Sequence, residues 1–463
     1  MAHGQRLWLI LEITMGKLFG TDGIRGVANE YPMTPEMALK FGRAVGHHFG
    51  VSNRSAILIG RDTRISGQMI ESAIAAGCCA MGVDVILAGV IPTPGVALLT
   101  KALGAVAGIV VSASHNPYFD NGIKVFDTDG FKLSDGMEES LEKNILYDDQ
   151  ATAVKSIRET GKIDNLNNSG DRYKEFLKQC LPKSCRLKDF KIALDCANGA
   201  TYSLAPKLFS ELGADVYDLQ TKPDGKNIND GCGSQHPQYL ARKVKDTDAN
   251  IGLAFDGDGD RLVAVDETGA VLTGDQVLAI CTRYLKENGQ LKNNTVVSTV
   301  MSNMGLGKAL QEMGAENVIT DVGDRYVMEE MRKQGAILGG EESGHTVFLE
   351  HQTTGDGILT ALKLLEIISI EKKPLSELKK VMTVFPQVLI NVDVKSKPPL
   401  ESLPGVMAAI RQVEKDLAGK GRVLVRYSGT QPQCRVMVES LNTEDTRFFC
   451  GKIAKVIKEI MGS

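Results

Sequence analysis

Three carboxylates stand at alternate positions in Asp256-Gly257-Asp258-Gly259-Asp260, followed by Arg261, between the apolar runs 251–255 and 262–265. Left bare on one short loop, three such charges repel one another. A divalent cation removes that repulsion, and the two glycines let the backbone curl so that the oxygens converge. An EF-hand competes, because Glu267 falls at the twelfth position of the loop. Its sixth position needs glycine, however, and holds Arg261, and the flanks read as strands instead of helices. Three oxygens leave coordination sites for water or a phosphate, which suits magnesium beside a phosphorylated ligand. A solvated acidic turn is the plain alternative.

A second group with chemistry in it is Ser112-Ala113-Ser114-His115-Asn116-Pro117, at the end of the apolar run 108–111. A hydroxyl in a sharp turn just past a buried strand is where an exposed nucleophile sits in an α/β domain; a capping serine is the ordinary reading. Asn121-Gly122-Ile123-Lys124 follows, with an amine able to move protons or neutralise phosphate, or simply to sit on the surface. Gly339-Gly340-Glu341-Glu342-Ser343-Gly344-His345 mixes carboxylate, hydroxyl and imidazole in a glycine-rich setting suited to sugar hydroxyls, although a lone histidine is often structural. Arg426-Tyr427-Ser428-Gly429-Thr430, with Arg435 beyond, offers guanidinium, hydroxyls and exposed amides for a phosphate; a surface turn competes. Residues 20–26 add Arg25 in a polar loop. A metal site, a hydroxyl nucleophile, a sugar grip and a phosphate grip together point to phosphoryl transfer on a phosphosugar.

The elements that must position these loops follow a threefold echo. Residues 57–59 run into a polar loop at 60–67, an apolar-periodic helix, Gly82 and a strand at 83–87. The same order recurs at 192–195, loop 196–201, helix, Gly213 and strand 214–219. It recurs again at 296–299, loop 300–305, helix, Gly314 and a strand near 317–320. Each glycine can take the left-handed position that ends a helix. Units of this length favour parallel strand pairing, and three copies imply three similar α/β domains. The last ~80 residues read as α+β, with strands at 388–394, 423–427 and 435–439 and helices at 407–417 and up to Met461. Linkers are expected around 160–170, 268–274 and 371–376.

At 463 residues the chain exceeds what one core supports. Its 43% hydrophobic and 24% charged residues are those of a folded soluble protein, and a net charge of −4 argues against nucleic-acid binding through bulk positive charge. Nine cysteines without paired CxxC spacing read as reduced, buried thiols of a cytoplasmic protein, not a disulfide frame or a zinc site. The apolar stretch 8–11 is far below the ~20 residues that span a bilayer; residues 1–14 read as a start-site artefact or a disordered tail. No membrane, export or nucleic acid is expected.

On these segments the sequence resembles the α-D-phosphohexomutase superfamily, from Met15 to about Gly462. The matching stretches, in order, are 19–26, 112–117, 256–261, 339–345 and 426–430. Residues 194–200, 299–303, 321–326 and the Arg426–Thr430 loop resemble its glucosamine-handling branch, not the mannose and glucose branch. Gln431 and Gln235 depart from the usual glutamate and threonine. The resemblance implies three similar mixed α/β domains and a smaller C-terminal α+β domain of TATA-binding-protein-like shape around a central cleft. These are a phosphoserine-bearing domain at 15–165, a metal-binding domain at 166–268, a sugar-binding domain at 269–378 and a phosphate-binding domain at 383–463. It implies a phosphorylated Ser114, and one Mg²⁺ held by Asp256, Asp258, Asp260 and that phosphoserine. Lys124 and His345 are implied as acid/base residues, Arg25 and Arg261 beside the reacting phosphate, and Glu341 and Ser343 on sugar hydroxyls. Arg426, Ser428, Gly429, Thr430 and Arg435 are implied on the distal phosphate. The expected substrate is a small hexosamine phosphate, isomerised through glucosamine 1,6-bisphosphate as intermediate and activator, with the product feeding UDP-N-acetylglucosamine synthesis. The sequence does not fix the oligomeric state, and a homodimer is among the assemblies open to it. The rivals are a mannose- or glucose-phosphate mutase and a catalytically silent phosphosugar-binding protein.

Overall fold

The computed structural model describes residues 18–20, 22–50, 56–147, 156, 159–182, 185–428 and 432–462. The expectation for residues 1–14, and Gly429, Thr430 and Gln431 of the phosphate loop, lie outside the described residues. The chain divides into two compact units. One comprises residues 1–300 and 318–379, and the other residues 301–317 and 380–463.

The first unit holds three sheets. Strands β1 (Ile24–Val27), β2 (Ala56–Arg61), β3 (Asp84–Val90), β4 (Ala107–Val111), β5 (Asp120–Phe126) and β6 (Ile163–Asn165) form one sheet in the order β1-β5-β4-β2-β3-β6. The pairs β2–β3, β2–β4 and β3–β6 are parallel, whereas β4–β5 and β1–β5 are antiparallel. All five residues of β4 are buried, as its unbroken apolar run requires of a central strand. The helices Pro35–Phe49, Gly67–Ala80 and Asp135–Tyr147 contribute Phe41, Ile70, Ile74 and Leu141 to the core of this sheet. Fully burying one such side chain contributes roughly 1.5–3 kcal/mol. The stretch 160–170, expected as a linker, instead supplies β6 and the start of the helix Ser169–Gln179, because Val85 and Leu87 offer a free strand edge to its backbone.

Strands β7 (Lys191–Asp195), β8 (Asp215–Leu219), β9 (Ile251–Phe255) and β10 (Leu262–Asp266) form the second sheet, ordered β10-β9-β7-β8. β7 is parallel to β8 and β9, and β9–β10 form an antiparallel hairpin. The third sheet is ordered β12-β11-β13-β14, from β11 (Thr295–Thr299), β12 (Glu316–Thr320), β13 (Leu338–Gly340) and β14 (Thr346–Phe348). The threefold echo is therefore real. Each copy gives a strand, a polar loop, a helix and a neighbouring strand, and Gly82, Gly213 and Gly314 take φ of 80°, 99° and 68° as their helix-ending places demand.

The second unit is an antiparallel sheet of β15 (Gln387–Asp393), β16 (Arg422–Tyr427) and β17 (Gln433–Glu439), ordered β15-β17-β16. Val388, Ile390 and Val392 alternate onto the core side, where they meet Val413, Ile453 and Ile457 of the helices Pro404–Leu417 and Thr443–Met461. The helix Met304–Met313 of the third echo belongs to this unit. Asn303 exchanges two hydrogen bonds with the Phe385 backbone, and Met304 N donates to Glu439 Oε2 at 2.9 Å.

Candidate active site

Ser114 follows β4 in a left-handed conformation, φ 51°, fully buried. Such a φ costs a non-glycine residue on the order of 1–3 kcal/mol. Hydrogen bonds hold it there. Ser114 N donates to Ser112 Oγ (3.0 Å), and Ser112 Oγ donates to Asp62 Oδ2 (2.6 Å). The buried guanidinium of Arg64, itself paired to Asp62 at 2.9 Å, donates to the carbonyls of Ser114, Asn116, Pro117 and Asp120. Asn229, from the segment after β8, donates to the Ser114 and Asn116 carbonyls at 2.9 and 3.0 Å. The charge-assisted bonds from Arg64 contribute about 1.5–3 kcal/mol each and offset the strain.

The acidic loop is the turn of the β9–β10 hairpin, so its flanks are strands and the EF-hand is excluded. Ser114 Oγ donates to Asp256 Oδ2 at 2.5 Å. Thr93 Oγ1 donates to Asp258 Oδ2 at 2.7 Å and Lys124 Nζ does so at 3.1 Å. Ligand oxygens of Asp256, Asp258 and Asp260 lie within 4.8 Å of one another. Asp258 Oδ1 and Asp260 Oδ1 are buried with no hydrogen-bond partner among the described residues. Burial, and then the charges of Asp260 and Asp258, push the Asp256 carboxyl well above the usual range. For Asp258 burial also pushes upward, but Lys124 and Thr93 outweigh it and hold the group below that range. Two orphaned, hard oxygens in a crowded carboxylate cluster fit a Mg²⁺-like cation.

A chain of alternating charges runs beside this loop. Lys124 Nζ also lies 3.1 Å from Asp22 Oδ2 and 3.6 Å from Asp260 Oδ2. Burial alone would lower its pKa, but Asp22, Asp258 and Asp260 raise it, so it is an ammonium. Arg25 Nη2 sits 2.5 Å from Asp22 Oδ2, and its Nη1 donates to Ala113 O at 3.4 Å, next to Ser114. Arg261 Nε is 3.7 Å from Asp260 Oδ1. Lys132 bridges Asp22 and Asp324, and Asp324 Oδ2 is 3.5 Å from His345 Nε2. Burial, with the positive Arg261 and Arg25 nearby, pushes the His115 imidazole down to about 3, so that ring is neutral beside Ser114.

Residues 341–345 are the tight turn between β13 and β14, closed by Glu341 N donating to His345 O at 2.9 Å. The His345 ring lies flat over Gly355, where a Cβ would fall 2.4 Å from Nε2, and neither ring nitrogen makes a hydrogen bond among the described residues. Ser343 Oγ is buried without a hydrogen-bond partner among the described residues, and burial first of all raises the Glu341 carboxyl. Leu262 N donates to Gly344 O at 3.1 Å, which joins this turn to the exit of the acidic loop. The first unit thus gathers Ser114, Lys124, Arg25, Arg261, the three aspartates and His345 into one network, with Glu341 on the His345 turn.

In the second unit Arg426 and Arg435 face each other across β16 and β17, and Arg435 Nη2 donates to Ser428 Oγ at 3.3 Å. Like charges directly opposite repel, and an anion between them removes that cost. Asp22, Asp62, Arg64, Thr93, Lys132 and Asp324 were not singled out from sequence. Asp62-x-Arg64 in a loop closing a strand was a readable signal; Lys132 carried none.

Four family models match successive stretches. They are phosphoglucomutase/phosphomannomutase alpha/beta/alpha domain I over residues 16–152, domain II over 171–269, domain III over 273–385 and the C-terminal domain over 389–456. The chain belongs to this phosphoglucomutase/phosphomannomutase family. Among curated relatives, the phosphoglucosamine mutase of Syntrophus aciditrophicus (strain SB) is 55% identical over 449 residues, covering 97% of this chain and 100% of the relative. That of Anoxybacillus flavithermus (strain DSM 21510 / WK1) is 52% identical over 451 residues, with 97% and 100% coverage. Within the family the chain therefore falls in the phosphoglucosamine mutase group. A family protein of known structure from Burkholderia thailandensis superposes with a TM-score of 0.78 at 26% identity, covering 96% of this chain and 97% of that one. The N-acetylphosphoglucosamine mutase of Aspergillus fumigatus, solved in complex with GlcNAc-6P and magnesium, shares the fold with a TM-score of 0.68 at 17% identity, covering 98% of each chain.

Proposed function

We propose that the chain interconverts glucosamine 6-phosphate and glucosamine 1-phosphate through a phosphoserine at Ser114 and a bound glucosamine 1,6-bisphosphate. The observation that carries this reading is the 2.5 Å contact of Ser114 Oγ with Asp256. A hydroxyl held in a strained turn against a carboxylate cluster is a phosphoryl acceptor poised at a cation site.

In this reading the bond from phosphorus to Ser114 Oγ breaks as one to the sugar O1 forms. Lys124, an ammonium within its carboxylate cage, donates a proton to the departing serine oxygen, and the His345 ring takes the proton of the sugar hydroxyl. Arg25 and Arg261 hold the transferring phosphoryl oxygens. Asp256, Asp258, Asp260 and the phosphoserine would hold a Mg²⁺, which would supply further charge neutralisation there. Glu341 and Ser343 receive the sugar hydroxyls; Arg426, Ser428, Gly429, Thr430 and Arg435 grip the distal phosphate. The bisphosphate then turns end for end, and its 6-phosphoryl group returns to Ser114 with both proton transfers reversed.

The test joins intact-mass spectrometry to kinetics. One phosphate is expected on the wild-type chain and none on Ser114→Ala, whose turnover should fall at least about a thousandfold. Wild-type activity in that variant would reject the covalent route. Parallel assays on glucosamine, mannose and glucose 6-phosphates should give the highest kcat/KM with glucosamine 6-phosphate. A preference for mannose or glucose 6-phosphate would favour the other branch.

A further inference from the structure

We infer that Lys132 is a positioning residue for phosphoryl transfer, bridging Asp22 and Asp324 and thereby fixing Arg25 and Lys124 on one side and the carboxylate charge that faces His345 on the other. The inference rests on the reading of Ser114 as phosphoryl carrier. The Lys132 ammonium contacts Asp22 Oδ1 and Asp324 Oδ2, and its side chain is 10% exposed. The other oxygen of Asp22 lies 2.5 Å from Arg25 Nη2 and 3.1 Å from Lys124 Nζ. Asp324 Oδ2 is 3.5 Å from His345 Nε2. One carboxylate that holds Arg25 and Lys124 and a second whose charge faces the His345 ring are thus tied by one cation.

A purely structural role is a poor account of this lysine. The segment around it is already fastened to the helix Asp324–Gln334 by Arg325, which pairs with Asp135 and Glu138, and by Arg332 over the Phe131 ring at 4.3 Å. A third charged contact there adds desolvation cost for little extra hold. What Lys132 supplies is a fixed distance between Asp22, which holds Lys124 and Arg25, and Asp324, which faces His345 together with Asp260 (3.9 Å). Misplacing reacting groups by about 1 Å costs on the order of 100-fold in rate.

The experiment uses the full chain with Mg²⁺ and glucosamine 6-phosphate. Lys132→Met should lower kcat about 100-fold, with KM within about threefold of wild type and the Ser114 phosphate retained by intact mass. Lys132→Arg, which keeps the bridging charge, should recover to within about tenfold of wild type. Asp324→Asn should also lower kcat, and the double variant should be no slower than the slower single, as two ends of one bridge require. Should Lys132→Met not fold, the pair Lys132→Met/Asp324→Asn, which removes one charge of each sign, carries the test with the same expected loss. A kcat within threefold of wild type overturns the inference. So does a loss that merely follows the folded fraction and is not recovered by arginine. If Ser114→Ala stays active, the mutase reading itself fails; if it is dead while Lys132→Met is unaffected, only this inference does.

Discussion

The Ser114 hydroxyl reaches Asp256 across 142 residues of chain, and Gly257 is what lets it. A Cβ on Gly257 would stand 2.5 Å from Ser114 O and 2.8 Å from Asn229 Nδ2, inside any real contact distance. The serine turn and the acidic hairpin therefore meet backbone to backbone, with room for no side chain between them.

Gly257→Ala should consequently separate the two loops without emptying either. A shift of a few tenths of an ångström up to about 1 Å predicts a kcat loss of about 10–100-fold. The helix and strand content should be unchanged by circular dichroism. Wild-type kcat in a folded variant would show that the approach is not needed.

Asp258→Asn removes one of the three carboxylates proposed to hold the cation and one Lys124 partner together. The Mg²⁺ concentration for half-maximal activity should rise about 10–100-fold, at least the loss typical of disturbing a metal ligand's surroundings. An unchanged magnesium titration would reject the ligand assignment.

Asp356 caps the helix Gly357–Glu371 and accepts hydrogen bonds from Leu359 N, Tyr173 Oη and Gln352 Nε2. Burial outweighs these donors and pushes its carboxyl up to about 6. Because the folded value lies above the unfolded one, the folded chain retains this proton longer as pH rises. Stability should fall between about pH 4 and 6 and stay lower above, by on the order of 3 kcal/mol from this group. Asp356→Asn should remove that part of the slope in urea unfolding at pH 4.5 and 7. Identical slopes in variant and wild type would reject it.

Arg435→Met removes one of two facing guanidiniums. Stability should hold or rise slightly, since a like-charge pair is relieved, whereas KM for glucosamine 6-phosphate should rise about 10–100-fold through loss of charge-assisted bonds to phosphate. Thermal melting and steady-state kinetics together check the pair of outcomes. A lower Tm with unchanged KM would make Arg435 structural.

By itself the sequence determined the alternating aspartates, the serine just past a buried strand, the strand character of the acidic loop's flanks and the threefold unit with its helix-ending glycines. These are local properties: apolar period, turn chemistry and charge spacing act within a few residues. The tertiary structure alone decided that Arg64 and Asn229 would clamp the Ser114 carbonyl, that Thr93 would bond Asp258 and that Lys132 would join Asp22 to Asp324. It also decided that the helix Met304–Met313 would pack with the C-terminal unit. No local pattern marks such partners, because a buried charge is stabilised by whichever distant loop the folded backbone brings against it.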